Sequence, residues 1–171
     1  MTRTAYASIA GLLLSLACAA SGCGSGRKLD ANHPPTVREG SAGKRGPTAP
    51  GASVRFANPK PGSTTNPTVR VTVKLTKFKL AANAVGGAPK AGRGHLRFAM
   101  DEGRYDRPRW SSTASSPLAL KLGAAGKFSP STTPTITYRR LPRGEHRLVV
   151  YLVNNDDTNT DISATSIFRV K

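Results

Sequence analysis

The residues of this chain whose types and spacing could do chemistry fall into three groups. His95 and His146, with a carboxylate such as Asp101, could bind copper or zinc if the strands bring the two imidazoles together. Without that approach they are surface residues of strands. Asp157-Thr158-Asn159-Thr160-Asp161 alternates oxygen ligands like a calcium loop, yet Ile162 sits where glycine would bend the chain and no glutamate follows at the twelfth position. Asx residues satisfying their own turn are the simpler account. Tyr105, Arg107, Arg109 and Trp110 fall within six positions of one another, a composition typical of interaction hot spots. The competing account makes Trp110 a plug at the open end of the core. Acids for catalysis are scarce, and there is neither a Gly-x-Ser-x-Gly nor a Gly-rich phosphate loop. The balance points to a non-catalytic binding or structural module without a cofactor. Metal handling through His95 and His146 is the alternative.

The address is written at the N-terminus. Arg3 is the only early charge, Ile9 to Leu16 form an apolar run, and small residues Ala17 to Gly22 follow, the pattern of a secretory signal over residues 1–22. The run is well short of the roughly 20 apolar residues of a membrane-spanning helix. Ala20-Ser21-Gly22-Cys23 resembles the lipobox of bacterial lipoproteins, in which the cysteine is acylated and becomes the mature N-terminus, although Ala20 stands where leucine is preferred. That resemblance implies a membrane anchor on Cys23 and an extracytoplasmic location. With Cys18 removed and Cys23 acylated, no cysteine remains for an intramolecular disulfide, and thiolate zinc sites and cysteine catalysis are excluded by the same count.

Residues 23–52 are rich in Gly, Ser, Pro, Ala, Thr and charge, and read as a flexible basic tether. The formal charge of +17 is spread along the chain. For a protein on an outer membrane leaflet, such a field favours contact with anionic lipid head groups or an anionic envelope polymer, with a protein partner also open, and the competing account is solubility and a habit of using arginine on exposed faces. Nucleic acid is disfavoured, since only Tyr105 to Trp110 interleaves aromatics with basic residues.

Residues 53–171 carry the strands that must position these groups. Val69, Val71, Val73 and Leu75 alternate with Arg70, Thr72, Lys74 and Thr76, and Leu148, Val150 and Leu152 alternate with Arg147, Val149 and Tyr151. After Lys77 the parity slips, which predicts a bulge or a strand crossing between sheets. Shorter strands are expected at Val54–Phe56, Gly94–Asp101, Thr135–Tyr138 and Ile162–Val170, and Leu118, Leu120 and Leu122 suggest an edge strand or lid within the long connection 102–134. About seven short strands in about 120 residues give an all-β, immunoglobulin-like antiparallel β-sandwich. Tyr138 is expected to act as a corner tyrosine, its hydroxyl satisfying a backbone group at the crossover.

The set Gly94-His95-Leu96 with Asp101, Tyr138 to Leu141, Pro142 to His146 and Asn154-Asn155-Asp156 resembles small bacterial envelope domains of immunoglobulin-like or fibronectin-like fold, which often follow lipoprotein signals. The resemblance implies fold more than activity. Some such domains carry a His-x-His on the middle strand and a histidine after the Asn-Asn-Asp turn, a set that could hold metal. The matching positions here are Arg97 and Asp157.

Overall fold

The computed structural model describes residues 44–171. Its elements are β1 (Ser53–Asn58), β2 (Thr64–Thr65), β3 (Val69–Thr76), β4 (Lys79–Leu80), β5 (Arg93–Met100), α1 (Pro117–Lys121), β6 (Ser129–Ser131), β7 (Thr135–Tyr138), β8 (Gly144–Asn154) and β9 (Asn159–Val170). They form two sheets. One has the order β1-β3-β7, and the other runs β2-β9-β8-β5-β4, with β6 also paired to β5. β1, β3 and β7 stand where an immunoglobulin-type sandwich puts strands A, B and E, and β5, β8 and β9 where it puts C, F and G. The protein is therefore an all-β sandwich of the immunoglobulin-like type.

Period-2 alternation places one row from each strand between the sheets. Val69, Val71 and Val73 of β3 and Ile136 and Tyr138 of β7 face Leu96, Phe98 and Met100 of β5, Leu148, Val150 and Leu152 of β8 and Phe168 and Val170 of β9, all buried in one core. Each such aliphatic or aromatic side chain contributes roughly 1.5–3 kcal/mol through removal from water. The slip after Lys77 marks a crossing between sheets. Lys77 takes a left-handed backbone conformation (φ 49°), and the chain leaves β3 to pair as β4 with β5 of the other sheet.

Two expectations are corrected by the structure. The domain begins before Ser53, because Arg45 pairs with Asn159 and the Thr48 hydroxyl donates to the Thr160 carbonyl at 2.9 Å. The leucines of the long connection form no edge strand: Pro117–Lys121 is a short helix, capped by Ser116 Oγ accepting from the Ala119 N–H. Leu120 is 74% exposed on it. The period-2 spacing was misleading because proline at the first helical position and serine before it start a helix turn whatever follows. The strand at that edge of the sheet is instead β6, which pairs with β5 from Leu96↔Ser131 to Phe98↔Ser129.

Gly94 is set by a close approach. It lies opposite Asn154 in the β5–β8 ladder, and a Cβ there would collide with the Val153 carbonyl and stand 2.9 Å from Asn154 Cα. Gly94→Ala is expected to lower stability by about 1–3 kcal/mol through overpacking, measurable by urea unfolding. An unchanged midpoint would show that the two strands can separate there without cost.

Candidate functional site

The connection after β5 is shaped by one buried carboxylate. Asp106 is fully buried, and its Oδ1 accepts from the Tyr138 hydroxyl at 2.6 Å and from the Ser129 hydroxyl, while Oδ2 accepts from the Met100 N–H at 2.8 Å. Ser129 Oγ also lies 2.6 Å from Ser111 Oγ. Tyr138 thus bonds to a side chain of the long connection and not to the backbone group expected of a corner tyrosine. Burial pushes the Asp106 carboxyl above the usual carboxylate range despite the three donors aimed at it. Burial, with the neighbouring Asp106 charge, raises the Tyr138 phenol well above its ordinary value.

With Asp106 fixed, the chain turns outward and back along β7. Ser111 bridges Tyr138, the Arg139 N–H donates to the Trp110 carbonyl at 2.8 Å, and the Ser112 N–H donates to the Thr137 carbonyl at 2.9 Å. Trp110–Ser112 thereby borders the free edge of β7. Four rings then run inward in sequence. Trp110 meets Tyr105 edge-on at 5.2 Å, Tyr105 meets His146 at 5.5 Å, and His146 lies 5.8 Å from Phe168.

Of the four residues singled out for binding, the structure divides them by depth. Tyr105 is 5% exposed and belongs to the core, so it is corrected from contact residue to support. Trp110 is half-buried, and the Arg109 guanidinium stacks on its ring at 3.8 Å, a cation–π geometry. Arg107 and Arg109 are exposed, as are Arg104, Arg139, Arg140 and Arg143 on the same two segments. His146 draws those segments together. Its Nδ1 lies 2.7 Å from Asp101 Oδ2 and its Nε2 accompanies the Pro142 carbonyl at 2.9 Å, while Tyr105 packs on its ring. Among the described residues, none of these six arginines makes an ion pair. The sandwich therefore carries an arginine-rich pole, with Glu102 and Glu145 the exposed acids nearest in sequence.

The two histidines do not share a site. His95 lies opposite Val153, and His146 stands seven residues before Val153 on β8, a separation of about 24 Å at roughly 3.4 Å per residue. Neither is a surface residue, since both are buried. His95 Nε2 is 3.1 Å from Asp157 Oδ1, and Arg97 Nη2 is 2.7 Å from Asp157 Oδ2. Asp157 and Arg97 are the positions where the resemblance would place two further histidines, and here they form an ion pair over the buried imidazole. Burial alone would raise the Asp157 carboxyl, but the hydrogen bonds from His95 and Arg97 outweigh it and hold the group below its ordinary value. Among the described residues no cluster of three or more His, Cys, Asp or Glu is placed to hold a metal ion. The aspartate run makes Asx turns: Asp156 Oδ1 accepts from the Thr158 N–H and Asn159 Oδ1 from the Asp161 N–H. Cys23, the lipidation candidate, lies outside the described residues.

No protein-family model and no curated protein sequence matches this chain. Among solved structures it is similar to the fibronectin(III)-like modules of CbhA from Clostridium thermocellum, at 14% identity over 69% of this chain and 95% of that one, with a TM-score of 0.38. The assignment of the sandwich rests on its own strand order.

Sequence reasoning missed Asp106. The available signal was Tyr138, whose inward parity on β7 buries a hydroxyl that must find a partner. Asp106→Asn should cost about 1–3 kcal/mol at neutral pH, since an amide cannot accept from all three donors. The pH dependence has a definite sign. The folded carboxyl binds its proton more tightly than the unfolded one, whose ordinary value is 3.8. The native state therefore holds more protons just above pH 3.8, and this group's contribution to stability falls as pH rises through its folded value. Asp157, shifted downward, acts below that window, its contribution being lost as pH falls through its folded value. In urea titrations across this range, the stability gap between wild type and Asp106→Asn should narrow with rising pH. A gap that widens would contradict the assignment.

Proposed function

We propose that this protein is a non-catalytic binding module of the bacterial cell envelope, held outside the cytoplasm by a lipid on Cys23 and engaging an anionic envelope polymer through its arginine pole. The observation that carries the reading is the set Arg104, Arg107, Arg109, Arg139, Arg140 and Arg143, exposed and without ion-pair partners among the described residues, on the two segments that are joined by the hydrogen bond from the Arg139 N–H to the carbonyl of half-buried Trp110. Charges left unpaired on a rigid frame are free to bind an external anion, and a guanidinium presents a planar fork of donors that suits carboxylate or phosphate. Trp110 offers an apolar face beside them, with Tyr105 behind it. The N-terminal sequence supports the address: a signal-like apolar run followed by Ala20-Ser21-Gly22-Cys23. Two acyl chains on Cys23 would hold the protein stably, each buried CH₂ contributing about 0.8 kcal/mol.

Two measurements test this. Mass analysis of the mature chain is expected to show an acylated Cys23 at the N-terminus, and Cys23→Ala should leave the protein unprocessed or released. A soluble, unmodified mature wild type would exclude the anchor. Separately, the full chain should be retained on envelope material, with retention falling as salt rises. Arg107→Gln is expected to weaken it without shifting the melting temperature, and Arg109→Gln to weaken it with a stability loss of no more than about 0.5–1 kcal/mol from the cation–π contact with Trp110. Trp110→Ala should cost about 1–3 kcal/mol, below the 3–5 of a fully buried aromatic, and the remaining folded fraction should bind poorly. Normal binding by that fraction would limit Trp110 to a packing role and remove it from the site.

A further inference from the structure

We propose that the outer face of the β1-β3-β7 sheet is a track for a linear, phosphate-bearing polyanion that continues from the arginine pole. The inference deepens the reading above and rests on it for the sign of the ligand's charge, but it uses a different surface. No aspartate or glutamate occurs between Gly40 and Met100, so β1 and β3 are built from a stretch without acids, and β7 has none either. On β3 the outward row is Arg70, Thr72, Lys74 and Thr76. The ladders place Ser53 opposite Thr76, Arg55 opposite Lys74, Arg70 opposite Thr137 and Thr72 opposite Thr135. Arg55, Arg70 and Lys74 are exposed and make no ion pair among the described residues.

Arg55 and Lys74 are like charges directly across from each other, an arrangement that destabilises a sheet. Alternate positions on the face are hydroxyls, and those of Thr72, Thr76, Thr135 and Thr137 make no hydrogen bond among the described residues. Guanidinium forks, an ammonium and free hydroxyls together supply the donors that phosphate oxygens accept. The face adjoins the pole directly. Arg139 follows Thr137 on the same parity and is hydrogen-bonded to Trp110, whose ring carries Arg109. From there to Thr76 the track follows the length of β3, about 24 Å at roughly 3.4 Å per residue. An extended polymer can span it and a single phosphate cannot. No side chain on the outward rows of these strands is more apolar than Ala57 and the threonine methyls, which favours a hydrated polymer over an anionic bilayer that the protein would enter.

The test measures binding of long-chain inorganic polyphosphate, tripolyphosphate and phosphatidylglycerol vesicles to the full chain over a range of salt. The wild type is expected to prefer long-chain polyphosphate over tripolyphosphate by about tenfold or more, with log affinity falling linearly in log salt. The variant Arg55→Gln/Arg70→Gln/Lys74→Gln should reduce the magnitude of that slope by about 2, at roughly 0.7 per lost contact, and should abolish the preference for the long chain. Lys60→Gln/Lys90→Gln/Lys121→Gln removes equal charge elsewhere on exposed positions and should leave the slope nearly unchanged. Arg55→Gln should also raise the melting temperature slightly by relieving repulsion from Lys74, so lost binding cannot be ascribed to unfolding. Equal losses in the two triple variants would reduce the track to a general field and overturn the proposal. Binding that depends on Arg107 and Arg109 but not on Arg55, Arg70 and Lys74 would overturn the track and leave the pole standing. Absence of polyphosphate binding by the wild type, or binding to vesicles alone, would also overturn the track.

Discussion

The buried Asp106 carboxylate is the constraint on which the exposed chemistry of this domain depends. Its oxygens gather donors from Met100 at the end of β5, Ser129 in β6 and Tyr138 at the end of β7, so one side chain ties together strands of both sheets. A charge withdrawn from water is costly unless its lone pairs are satisfied. Here three donors converge on it and burial still raises the carboxyl above its ordinary range. The tension is tolerated because the same contacts hold Trp110–Ser112 against the free edge of β7, a place that no long strand fills.

From that border the pole follows by packing. His146, held by Asp101 and the Pro142 carbonyl, sits between Tyr105 and Phe168, so the core ends in a stack of rings that reaches the half-buried Trp110. Arginines on the flanking turns then have no inward role. They remain outside, Arg109 on the face of Trp110, Arg104 over the ring of Tyr105 and the rest exposed. At the other end of the β5–β8 ladder the second histidine shows the contrasting outcome: His95 is buried, and the Arg97–Asp157 ion pair closes over it. One histidine supports the surface of the pole and the other is sealed beneath a local ion pair.

Charge is unevenly distributed for a reason visible in the chain. The acids of the described residues all follow Met100, on the β5–β7 connection, at the start of β8 and around the β8–β9 turn. The three-stranded sheet takes two of its strands from the part of the chain before them. Its outer face is therefore cationic without any single basic block, because pairing in register places Arg55 beside Lys74 and Arg70 beside Thr137.

By itself the sequence determined the main strands and the row of each that faces the core, because period-2 alternation over Val69–Leu75 and Leu148–Leu152 turns one apolar row inward, although the structure also buries Val149 on the other face of β8. From these rows and their turns came the sandwich class. The slip in parity beside Lys77 was legible as a bulge or a crossing, and the pairing of β4 with β5 decided for the crossing. Only the tertiary structure decided which strands are neighbours, and everything that needs neighbours was hidden with it. The distance between His95 and His146 depends on register. The fate of Tyr105 depends on the packing of His146, and the cationic face depends on residues far apart in sequence meeting across ladders. Local preference misled at Leu118–Leu122, where Ser116 and Pro117 set a helix turn in motion. It was silent at Asp106, because a single acid in a long connection acquires its role only when Tyr138 is brought to it from 32 residues away.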